Sequence, residues 1–103
     1  MEKKSALPKD LDAFKDALER PGPPLDWPLA LKVMWHDVKG DWESAHNIAQ
    51  DMYTALGSLL HAYLHRQEGD EFNAGYWYRR AGRDFPKMSL EEERWELVNS
   101  LLT

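Results

Sequence analysis

The sequence predicts an all-α fold. From Pro28 onward, apolar residues recur at helical spacing, with almost no alternating, β-branched runs. A Gly-Asp pair stands at 40–41 and again at 69–70, each time between two such segments. Ser89 and Glu92 form an S-x-x-E signature ahead of the last apolar run.

Residues 8–19 read as a first helix, with Pro8 in its first turn and Leu11, Phe14 and Leu18 on one face. "RPGPPLDWP" at 20–28 cannot continue a helix, because four prolines remove donors and fix φ. The expected division is 1–28 as an N-terminal helix and Pro-rich linker, and 29–103 as a helical-hairpin domain. Within the latter, helices are expected near 28–39, 43–55, 57–67, 71–82 and 89–102. The last has Glu91, Glu92 and Glu93 at the positive end of its dipole and an apolar face of Leu90, Leu97, Val98 and Leu101, with Trp95 and Leu102 beside it. Short connections make consecutive helices antiparallel neighbours.

The chain also matches itself. "LKVMWHDVKGDWESA" (31–45) aligns without a gap on "LHAYLHRQEGDEFNA" (60–74), an offset of 29 residues. Leu31 pairs with Leu60, His36 with His65, Gly40-Asp41 with Gly69-Asp70, and Ala45 with Ala74. Glycine ends one helix in the left-handed conformation, aspartate caps the next, and alanine lets the two approach closely. Each copy is expected to be a helical hairpin.

These residues resemble the tetratricopeptide repeat. Gly69, Asp70, Ala74, Tyr78, Ala81 and Pro86 follow that family's pattern throughout. The first copy keeps Gly40, Asp41 and Ala45, then has Ala49 in place of the aromatic, Met52 in place of the second alanine and Gly57 in place of the proline. The offset is also shorter than the family's usual ~34 residues. The resemblance covers roughly 29–86 and implies two antiparallel hairpins with the first and last helices as caps. It also implies a use in binding peptides or proteins. The string "HAYLHR-EGD-NA-YWYRRAG" further resembles a family of small bacterial proteins, a likeness that implies no activity.

Composition narrows the function. A net charge of -5 gives no broad basic footprint for nucleic acid or an anionic membrane. Without cysteine there is no disulfide, thiolate nucleophile or cysteine metal site. "MEKKSALPKDL" has no apolar leader core and no run approaches a membrane span, so a cytoplasmic protein is the expectation. A Gly-rich phosphate loop, G-x-S-x-G and H-E-x-x-H are all absent from the sequence.

Two clusters remain. His61, His65 and Glu68 recur down one helix face, away from the stripe of Leu56, Leu59, Leu60, Tyr63 and Leu64, and His46 precedes them on the neighbouring helix. These four are candidate ligands for a divalent transition metal. The alternatives are histidines packed in the hairpin seam, or a solvated polar face. The echo of His65 at His36 favours packing for that pair, whereas His61 has only Lys32 opposite it. The second cluster is Asn73, Tyr76, Trp77 and Arg80 on one face of the helix 71–82, residue types enriched in binding hot spots. Its alternative is Trp77 packed on Trp95 or Val98, with the arginines paired to Asp84 and Glu91–Glu93. The leading expectation is a small interaction module with no cofactor, binding a peptide, a protein or a second copy of itself through the second cluster. A metal-binding protein or metal-dependent enzyme using the first cluster is the alternative.

Overall fold

A computed structural model describes residues 7–102, and among these the chain forms six helices and no strand. They are α1 (Leu11–Ala17), α2 (Leu29–Val38), α3 (Trp42–Ala49), α4 (Ala55–Gln67), α5 (Glu71–Arg80) and α6 (Leu90–Leu101). Residues 1–6, the start of the stretch read above for a leader core, lie outside the described residues.

The two Gly-Asp turns are built alike. Gly40 and Gly69 have φ of 85° and 89°, the left-handed region that glycine enters without a Cβ clash. The amide of Asp41 donates to the His36 carbonyl, and that of Asp70 to the His65 carbonyl, both at 2.9 Å. Each aspartate then caps the following helix, accepting from the amide of Ser44 or Asn73 at 3.1 Å. These hydrogen bonds hold both carboxylates below the usual aspartate range, with the side-chain donor on Ser44 or Asn73 as the largest cause. Across these turns α2 packs on α3 and α4 on α5, as two hairpins require. The alanines after the turns, Ala45 and Ala74, are fully buried, so the backbones approach closely.

The structure corrects three helix boundaries. α1 begins after Asp10, whose side chain accepts from the Ala13 amide at 2.9 Å, so the cap is Asp10 and Pro8 lies outside the helix. α3 ends at Ala49 and not near 55; Thr54 caps α4 instead, accepting from the Gly57 amide at 3.0 Å. Tyr53, expected on α3, therefore stands in the turn and is 89% exposed. α5 ends at Arg80, where Gly82 adopts φ 76° and the Arg83 amide donates to the Tyr78 carbonyl at 2.9 Å, a third turn of the same kind.

Gly57 makes room for the turn that follows α3. A Cβ there would lie 2.0 Å from the Met52 carbonyl oxygen, backbone that cannot rotate away. Gly57→Ala is expected to displace the 50–54 turn and destabilise the chain by about 1–3 kcal/mol, read from the urea midpoint.

α4 is the central helix and departs most from expectation. Instead of one buried stripe, every residue from Leu59 to Leu64 is buried, His61 and Ala62 included. The cause is cover on several sides, since α2, α3, α5 and α6 all pack on it. α1 adds Phe14, fully buried, stacked on Trp27 at 5.6 Å and edge-on to Trp95 at 6.4 Å. The Trp35 indole N–H donates to the Ala17 carbonyl at 2.9 Å, fixing the end of α1 on α2.

α6 opens with the expected capping box, reciprocal bonds of 2.9 and 3.0 Å between Ser89 and Glu92. Leu97 and Val98 are buried as expected. Beside them, two adjacent charged residues reach inward. Arg94 Nε donates to Asp37 Oδ2 at 2.9 Å, and Arg66 Nη1 donates to Glu93 Oε1 at 2.8 Å. The Tyr63 hydroxyl donates to Asp37 at 2.8 Å and the Tyr78 hydroxyl to Glu93 at 2.7 Å, so both buried carboxylates have further partners. Burial, then the facing carboxylate, raises both tyrosine pKa values well above the usual range.

Candidate metal centre

α3 and α4 meet along an aromatic seam. Trp42, the first residue of α3, donates its indole N–H to the Leu64 carbonyl at 2.7 Å. One turn on, His46 stacks on Trp42 with ring centres 4.7 Å apart. Opposite, His61 and His65 stand one turn apart on α4, their rings stacked at 4.8 Å. Trp77 of α5 covers His61 from the other side, stacked at 4.2 Å. Two tryptophans thus bracket three imidazoles contributed by two helices.

The imidazoles converge. His46 Nε2 and His61 Nε2 are 2.9 Å apart, and one ring nitrogen from each of His46, His61 and His65 lies within 4.8 Å of the others. In the metal-free chain the short pair is a hydrogen bond, with one ring donating and the other accepting. Around a tetrahedral ion with bonds of ~2.0–2.1 Å, ligand nitrogens stand roughly 3.3 Å apart. The His46–His61 pair is near that value already, and the His65 nitrogen lies within 4.8 Å of both.

Glu68 takes a different place from the one its spacing implied. Its Oε2 accepts from His65 Nδ1 at 2.8 Å, so it orients a histidine rather than joining the three nitrogens. A carboxylate only accepts here, so His65 Nδ1 is the donor, which leaves Nε2 as the ring nitrogen that can face a metal. Carboxylate-to-histidine bonds of this kind raise ligand basicity in metal sites. His65, Glu68 and Asp70 also form a second close group. Both oxygens of Asp70, however, are engaged in capping α5, through the Asn73 amide and Nδ2. His36 joins neither group; it faces Asp41 at 3.9 Å at the other turn, and Lys39 stands where its Glu68 would be.

Electrostatics favour the neutral form of two of the rings, His46 and His61. Burial, then the neighbouring His46 and His65, lowers the pKa of His61 to about 4. Burial, then His65, lowers that of His46, with Glu68 opposing. A neutral imidazole is the form that binds metal. In the metal-free chain the same shift has a stability consequence. Since the folded His61 pKa lies below the unfolded value near 6.5, the unfolded chain takes up the proton first. Stability is complete above about pH 6.5 and is expected to fall as the pH drops toward 4, with little further loss from this group below that. Urea midpoints across this range check it, and His61→Gln should flatten the slope.

Three residues of the second cluster stay in contact: the Trp77 ring centre is 5.1 Å from that of Tyr76 and 5.6 Å from the Arg80 guanidinium. Asn73 is taken up by the Asp70 cap at 2.9 Å. Trp77 stacks on His61, while Trp95 is held by Phe14 and by Glu91 at 3.0 Å. Tyr76 and Arg80 remain outward, joined by a 3.4 Å contact. Arg66 and Arg94 make the ion pairs to Glu93 and Glu91, and among the described residues Arg79, Arg80 and Arg83 lie within 4 Å of no carboxylate. Trp42 was not singled out from sequence. Its signal is a tryptophan four residues before His46 and directly after a capping aspartate.

No protein-family model, no curated protein and no solved structure matches this chain. Among the described residues, no helix is long and apolar enough to cross a membrane.

Proposed function

We propose that the chain is a divalent-metal-binding protein whose ligands are His46, His61 and His65, with Glu68 orienting His65. The observation that carries this reading is the convergence of three imidazole nitrogens within 4.8 Å from two helices. Two of those rings have lowered pKa values and the third has a carboxylate on its far nitrogen. All-nitrogen ligation suits zinc, copper, nickel or iron over calcium and magnesium. Three protein ligands leave a fourth position for water, the arrangement in which zinc brings a bound water's pKa near 7. Cobalt(II) titration tests the reading: a visible absorption band of four-coordinate geometry should saturate at one ion per chain. Glu68→Gln should weaken binding about 10–100-fold, as loss of an orienting carboxylate does elsewhere. A featureless titration would remove the reading.

A second reading rests on the outward face of α5. Phe72 is 87% exposed and lies one turn from the partly exposed Tyr76, with Arg80 a further turn on. Such a face suits a protein or peptide partner, or a second copy of the chain, and the tetratricopeptide resemblance of the hairpin points the same way. Tyr76 and Arg80 lie on this outward face, and Trp77 touches both from behind. Light scattering of the wild type and Phe72→Ser tests self-association through it; one identical monomer mass for both removes that form of the reading.

A further inference from the structure

Between the turn that joins α3 to α4 and the facing side of α5 lies a cavity of about 290 Å³. Its walls are Gln50, Met52 and Tyr53 from the turn, Ser58 and His61 from α4, and Trp77 and Arg80 from α5. The shape depends on Gly57, since only a residue without Cβ lets the Met52 carbonyl sit against α4.

The chemistry of this wall is distinctive within an acidic chain. No aspartate or glutamate lines it, although the chain carries a net charge of -5. Asp51, between two wall residues, is exposed and outside the lining. The only full positive charge is the Arg80 guanidinium, which lies within 4 Å of no carboxylate among the described residues. That guanidinium is 5.6 Å from the Trp77 ring centre and 6.0 Å from that of Tyr76, so aromatic rings hold it in place before any ligand arrives. The side-chain polar groups of Gln50, Tyr53 and Ser58 likewise have no protein partner among the described residues. Met52 and Trp77 supply apolar surface between these polar groups.

We propose that this cavity binds a small organic carboxylate, with its anionic end paired to Arg80 and its apolar body against Trp77 and Met52. One guanidinium and no second cation match a single negative charge, and a planar carboxylate meets the guanidinium fork in two parallel hydrogen bonds. The volume sits at the lower end for small-molecule sites, which run from about 300 to 1,000 Å³, so the ligand is a small acid. The inference goes beyond the metal reading, because neither Arg80 nor Trp77 is a proposed ligand. On that reading His61, shared by the cavity wall and the metal centre, places the bound acid next to the ion.

Benzoate is the probe, and benzamide is its neutral counterpart of the same shape. Both are titrated into chelator-treated, zinc-free protein and followed by amide and indole proton–nitrogen NMR. Benzoate should shift the Trp77 indole and the backbone signals of Gln50, Tyr53 and Ser58 in a saturable way. Benzamide should bind at least about tenfold more weakly, and Arg80→Gln should lose at least about tenfold in benzoate affinity, the loss expected for one charge-assisted pair. Arg80 is exposed, so the variant is expected to keep the wild-type spectrum away from the cavity. The proposal is overturned if benzoate shifts none of these signals up to its solubility limit, if benzamide binds as well, or if Arg80→Gln binds benzoate as the wild type does. Because the experiment contains no metal, its failure leaves the histidine centre untouched, and a failure to bind metal leaves this cavity standing.

Discussion

Arg94→Met should destabilise the chain by about 3–5 kcal/mol, the cost of leaving one partner of a buried ion pair without the other. The side chain of Asp37 is fully buried, and among the described residues Arg94 is its only cation, bound at 2.9 Å. Methionine keeps much of the arginine stem's packing, so the loss reports on the charge. Tyr63 and Gln67 still donate to Asp37 in the variant, but neither neutralises it. A domain of this size commonly has about 5–15 kcal/mol in total, so the change should be visible as a large fall in urea midpoint. Adding Asp37→Asn should recover the greater part, because the orphaned charge is then gone. A loss below about 1 kcal/mol, typical of an exposed pair, would contradict this account of α6. The pair is half of a crossed clamp: Asp37 and Arg66 occupy equivalent positions, 29 residues apart, and bind the adjacent Arg94 and Glu93 with opposite polarity.

Zinc should raise the melting temperature of the wild type and leave that of His46→Ala unchanged. Metal held by the folded chain alone, at a hundredfold excess over its Kd, adds about 2.7 kcal/mol. For a domain of this size that is on the order of 10 °C. His46 is half-buried whereas His61 is buried, so its replacement costs less packing than that of His61. The comparison within each protein, with and without zinc, removes any difference in their starting stabilities. An equal zinc shift in both would place the ion somewhere other than between α3 and α4.

Much of the fold was legible because it is written in local chemistry. Gly40, Gly69 and their capping aspartates act within a few residues, and so does the Ser89–Glu92 box. The boundaries that were misread depend on contacts across the chain. The Gly57 signal is a missing Cβ, meaningful only once Met52 lies against it. Periodicity gave α4 a single apolar side, and the burial of His61 became evident only when α3 and α5 were seen to cover the other. The candidate ligands His46, His61 and His65 were readable as a set. The role of Glu68 was not, since one helix face cannot distinguish a ligand from a residue that holds a ligand in place. In the same way, Asn73, Tyr76, Trp77 and Arg80 share a helical face in sequence, which does not show that Asn73 also serves the Asp70 cap or that Trp77 also stacks on His61.

The most direct test of the central claim is equilibrium dialysis of tag-free protein against zinc, with bound metal measured per chain. The wild type is expected to hold one ion, and His61→Ala none, with helical circular dichroism retained. No bound zinc in the wild type, or one ion retained by His61→Ala, would contradict a centre built from His46, His61 and His65.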